Sequence, residues 1–127
     1  MRERRVRTRR GAWIAAAGCS ALILVATLSP EPDAVSTGCE WPGCLLDVAQ
    51  NLVLFVPLGA SLFLATRSPT KSIAAGAALS LAVELLQLHV IRGRDASLAD
   101  WIANTIGTAA GAQLAIAADA ALRRRRS

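Results

Sequence analysis

The sequence predicts an all-α integral membrane protein: a four-helix transmembrane bundle with its N and C termini in the cytoplasm. Three observations lead there. Of the 127 residues, 54% are apolar. Four apolar segments, 12–28, 45–66, 72–91 and 98–122, fall within the about 17–25 residues that cross a bilayer. Basic residues collect at the boundaries that an even number of crossings places on one side. A soluble bundle would carry a polar stripe on every helix, and the first segment, AWIAAAGCSALILVATL, carries none.

In chain order, residues 1–11 are a basic N-terminus and 12–28 the first span. An arginine-rich start before an apolar run also describes a signal peptide. No small-residue cleavage site follows, so the segment is expected to remain as an anchor. Residues 29–44, SPEPDAVSTGCEWPGC, hold three prolines and three acids and read as an irregular outer loop. The second span, 45–66, contains Pro57, which removes a helical hydrogen bond and should bend the helix. RSPTK is a cytoplasmic turn: Ser68-Pro69 ends one helix, and Thr70 or Ser72 can cap the next. After the third span, 72–91, comes RGRDAS, where Ser97 is an N-cap candidate with Asp100 at the capping-box distance. The fourth span, 98–122, leads into a basic C-terminus, 123–127.

Charge orients the bundle. Twelve of the fourteen basic residues fall on the side that also holds both termini, with only Glu3 and Asp119 as acids. The opposite side has seven acids against Arg92 and Arg94. Under the positive-inside rule the basic side is cytoplasmic, and the expected location is a cell membrane crossed several times. Trp13, Trp41 and Trp101 fall at or beside expected membrane boundaries, the level such rings prefer. A net charge of +5 and pI near 10.5 are also found in nucleic-acid binders. The arginines instead form terminal runs directly against apolar segments, without aromatic interleaving. That pattern favours anionic lipid over nucleic acid, and no nucleic-acid partner is expected.

Cys19 lies in the first span and reads as a small core residue. Cys39 and Cys44 frame the outer CEWPGC turn, where an oxidising compartment would close a disulfide and a reducing one would leave two thiols. A zinc site is disfavoured because His89 is the only histidine, and no metal or cofactor is expected.

Counting residues at about 1.5 Å each from the helix ends brings three polar groups to one depth, about 9–10 Å from the outer boundary: Asn51, Glu84 and Asn104. Asp47, Gln50, Gln87, Asp100 and the loop residues Arg92 and Arg94 form a shallower tier. Asp47 and Asn51 share a face, as do Glu84 and Gln87, and Asp100, Asn104, Gly107 and Gly111 continue one stripe. The expected result is a polar pocket open only to the outside, with apolar inner halves. Ionisable groups at membrane depth cost at least about 2.5–3.5 kcal/mol, so they have partners and often a role. A network that only locks the helices in register is the alternative. Gly107 and Gly111 form a small-residue step that serves either close packing within the bundle or a homodimer.

The residues quoted so far also form a recognisable order. NLVLFVPLG, then ELLQ, then RDASLADWIANTIGTAAG resembles the VanZ-like family of small bacterial membrane proteins over about residues 47–111. The matching positions are Asn51, Phe55, Pro57, Gly59, Glu84, Gln87, Arg94, Ser97, Asp100, Asn104, Gly107 and Gly111. The family's founding member is linked to resistance against the lipid-tailed glycopeptide teicoplanin, so the resemblance implies a role at the cell envelope. The pocket of Asp47, Asn51, Glu84, Gln87, Arg94, Asp100 and Asn104 is then expected to bind a lipid headgroup, a wall precursor or a lipoglycopeptide-type amphiphile. A small proton-coupled transporter using Glu84, and a membrane scaffold whose polar network is structural, are the alternatives. No serine or cysteine nucleophile with a base stands near Glu84, which argues against an enzyme.

Overall fold

The computed structural model describes residues 2–28, 43–90 and 97–125, with their side chains except at 2–5, 7, 43, 44, 47 and 90. The outer loop with Cys39 and Trp41, the segment with Arg92 and Arg94, and the side chains of Cys44 and Asp47 lie outside the described residues. The described chain is all-helical: α1 (Arg2–Leu28), α2 (Gly43–Thr66), α3 (Pro69–Val90) and α4 (Leu98–Arg124). All four helices are long and apolar enough to cross a membrane.

α1 runs back through the basic segment expected to precede it, because arginine is a good helix former and no proline interrupts Arg2–Gly11. α3 starts earlier than expected. Ser68, not Thr70 or Ser72, is its cap: Lys71 N–H donates to Ser68 Oγ at 3.4 Å and Ser72 N–H to the Ser68 carbonyl at 3.1 Å. Pro69 then takes the first helical position, where its missing N–H is harmless. Ser97 caps α4 as expected, its hydroxyl accepting from the Asp100 N–H.

Side-chain ties fix the direction of each helix. Arg9 Nε donates to the Ala65 carbonyl at 3.0 Å, and Arg67 pairs with Asp119 at 3.1 Å. The start of α1, the α2–α3 turn and the end of α4 therefore share one end of the bundle. At the other end Gln87 Nε2 donates to the Thr27 carbonyl at 2.8 Å, joining the ends of α3 and α1. Successive helices are antiparallel, and α2 runs parallel to α4.

α2 packs against all three other helices, and its union with α4 is the closest. Glycine makes it so. A Cβ on Gly107 would strike the Leu52 carbonyl, one on Gly111 the Val56 carbonyl, and one on Gly59 the Thr108 carbonyl. The small-residue step thus packs inside the bundle against α2. Phe55, Leu58 and Leu62 of α2 form a core with Ala16 and Ile23 of α1 and Val83 of α3. Phe63 packs separately with Ala112 and Ala115 of α4. Ile14, Leu22, Val25, Val53, Ile106 and Leu114 are each more than half exposed, the apolar exterior that a lipid environment requires.

Candidate functional site

The spacing of Ser80, Glu84 and Gln87 turns all three to the buried side of α3. Glu84 is 6% exposed, and its Oε2 accepts the Ser97 N–H at 2.8 Å. In a capping box that N–H is taken by the side chain three residues further on. Here Asp100 contributes only its main-chain N–H, to Ser97 Oγ at 3.2 Å. The reciprocal carboxylate comes from another helix, so Glu84 ties α3 to the start of α4. A carboxylate at a helix N-terminus is also favoured by the helix dipole.

Beside this contact a pocket of ≈ 420 Å³ lies between α3 and α4, lined by Leu81, Glu84, Ser97, Leu98 and Trp101. Its size is within the range of small-ligand sites, about 300–1,000 Å³. Leu81 and Leu98 are 51% and 72% exposed, so the pocket opens on the flank of the bundle, where lipid would lie. Trp101 is a wall of the pocket, its indole N–H donating to the Ala77 carbonyl at 3.1 Å. It is therefore braced against α3.

The other expected residues are distributed differently. Asn104 Nδ2 donates to Ser80 Oγ at 2.9 Å. Ser80 is one turn below Glu84, so Asn104 sits about 6 Å deeper than Glu84 and not beside it. Counting from helix ends misses this because it ignores the offset between α3 and α4. Gln87 faces α1. Asn51 and Asp100 are half-buried, and their side chains make no hydrogen bond or ion pair among the described residues. Glu84 alone of the described members of the expected set lines the pocket, whose walls are mostly apolar. Asp47 and Arg94 belong to that set but lie outside the described side chains. His89 is exposed, with Nδ1 2.7 Å from the Leu85 carbonyl.

Sequence reading also missed buried polar residues lower in the bundle: Ser72, Ser80 and Thr108, each 0% exposed. The inner halves are less uniformly apolar than expected. The signal that could have found them was the i,i+4 series Ser72, Gly76, Ser80 and Glu84 on α3. At the basic end Asp119 bridges Arg67 at 3.1 Å and Arg123 at 2.9 Å.

Four apolar helices with lipid-like outer surfaces and polar groups turned inward define a multi-pass membrane protein. Within that class, the VanZ/LLP1 family pattern matches residues 5–119, and the chain belongs to this family. The match extends well beyond the expected core of 47–111 and takes in α1. No curated protein and no solved structure matches the chain.

Proposed function

We propose that this protein acts at the bacterial cell envelope by holding an amphiphile in the flank pocket between α3 and α4. The basic end of the bundle faces the cytoplasm among anionic lipids, and the pocket lies toward the outer surface. The supporting observation is the pocket's composition: one buried carboxylate, Glu84, at an otherwise apolar recess that opens sideways. Such a recess suits a molecule with an apolar portion along Leu81, Leu98 and Trp101 and a polar group near Glu84 and Ser97. A lipid headgroup region, a lipid-linked wall precursor and a lipid-tailed glycopeptide all have that form.

The test compares cells expressing the wild-type protein, the Glu84→Ala variant or no protein, challenged with tailed and untailed glycopeptides. A reduced susceptibility confined to the tailed drug, lost in Glu84→Ala although the variant inserts normally, is expected. Equal responses to both drugs, or full protection by Glu84→Ala, would remove the support for this role.

A further inference from the structure

The buried face of α3 carries a polar or glycine position at every turn. Ser72, Gly76, Ser80 and Glu84 follow one another at i,i+4, and all are buried. Gly76 has no side chain, and the Thr108 side chain of α4 packs into the space that a Cβ there would crowd, its hydroxyl donating to the Asn104 carbonyl at 2.9 Å. Three hydroxyls and a carboxyl therefore succeed one another at steps of about 6 Å over about 18 Å. At the lower end Ser72 Oγ is 3.1 Å from Thr66 Oγ1 and donates to the Ser68 carbonyl at 2.8 Å. That places it at the turn bearing Arg67 and Lys71. At the upper end Glu84 borders the pocket. Asp100 and His89 also belong to the pocket end, and Asp119 and Arg123 to the other; Ser72, Thr108 and Ser80 between them are not ionisable.

A run of small residues alone would be explained by close helix packing. Packing does not explain polar atoms left unmatched. Asn104 is 2% exposed, and its Oδ1 has no partner although Nδ2 bonds Ser80. The Ser80 hydroxyl, in turn, donates to no acceptor among the described residues. Exchanging the amide oxygen and nitrogen moves the mismatch without removing it. An unmatched buried polar group costs about 1–3 kcal/mol. One water that accepts from Ser80 and donates to Asn104 satisfies both, and buried waters typically make about three such bonds. A step of about 6 Å is also the length of two hydrogen bonds joined through one water.

We propose that this series is a hydrated proton relay joining the Glu84 carboxyl to the basic end of the bundle. Glu84, a carboxylate at rest, takes up a proton from the pocket side and passes it to a neighbouring water, returning to the carboxylate. Each hydroxyl then accepts one proton as it releases another, and the last is given to solvent at the Thr66–Ser68 turn. The step consumes no other reactant, is driven by the proton gradient, and does not depend on what the pocket holds.

The test uses the full chain in proteoliposomes carrying an internal pH dye, with a potential set by potassium and valinomycin. Wild-type vesicles are expected to take up protons faster than protein-free vesicles. Thr108→Val, nearly isosteric, and Ser80→Ala should return the rate to the protein-free level. Ser61→Ala, which removes a hydroxyl outside the series, should leave it unchanged. Helical circular dichroism and elution behaviour establish that each variant is folded. A wild-type rate equal to that of protein-free vesicles, or a folded Thr108→Val that keeps the wild-type rate, would overturn the relay.

Discussion

Arg67 ends α2 with φ of 58°, and its N–H donates to the Phe63 carbonyl at 2.7 Å. This is the left-handed helix end that glycine serves without strain. A side chain there costs about 1–2 kcal/mol. The compensation is the Asp119 ion pair, but its partners are 40% and 30% exposed, and pairs so open to solvent contribute little. The strain is the larger of the two effects. Arg67→Gly loses the pair and the strain together, whereas Arg67→Ala loses the pair and keeps the strain. Unfolding in detergent should therefore find the glycine variant roughly 1 kcal/mol more stable than the alanine variant. Equal stabilities would mean that the turn stores no strain. Glu84 gives a second single-residue comparison. Glu84→Gln retains an oxygen for the Ser97 N–H, while Glu84→Ala leaves that donor without this acceptor, a loss of about 1–3 kcal/mol. The glutamine variant should melt clearly above the alanine variant, and coincident melting curves would show that this cap contributes nothing.

The helices themselves were largely legible in the sequence, and their pairing was not. Length and apolarity located three of the four helices to within three residues, because a bilayer permits little variation in either, while α1 begins ten residues before its apolar run. The union of α2 with α4 depends on which glycine meets which carbonyl, and nothing in the order of residues states that. Gly59, Gly107 and Gly111 stand against main-chain atoms that cannot rotate away. Gly59→Ala or Gly111→Ala should thus cost about 1–3 kcal/mol through overpacking. Gly18 on α1 serves as the contrast, since a Cβ there would meet nothing within 4 Å. Gly18→Ala should be neutral or gain up to about 1 kcal/mol from helix propensity. Denaturant titration in micelles would measure both, and equal effects at Gly18 and Gly111 would contradict the packing. The same limit applies to the site. Glu84 stood out because charge in a membrane demands explanation. Ser80 and Thr108 did not, because small hydroxyls are ordinary at helix interfaces. Leu81, Leu98 and Trp101 read only as apolar surface until α3 and α4 were set side by side.

At the scale of the whole molecule, the ends of the bundle differ in charge. Arg9, Arg10, Arg67, Lys71, Arg123, Arg124 and Arg125 surround one end, where Asp119 is already engaged by two arginines. The other end presents Glu84, Asp100 and His89 near the pocket. Basic segments close to membrane spans resist translocation, and the effect is set by lysine and arginine, not by net charge. The ties Arg9–Ala65 and Arg67–Asp119 hold three of these basic segments to one face, so their preferences act together. The bundle should therefore insert with that face in the cytoplasm and the pocket end outside. In a background with the native cysteines replaced, a membrane-impermeant maleimide added to intact cells should label Ala99→Cys. Lys71→Cys should react only after the cells are opened. Both positions are exposed, so access and not burial decides the result. The reverse pattern would invert the bundle, turn the pocket toward the cytoplasm and end its assignment to extracellular amphiphiles.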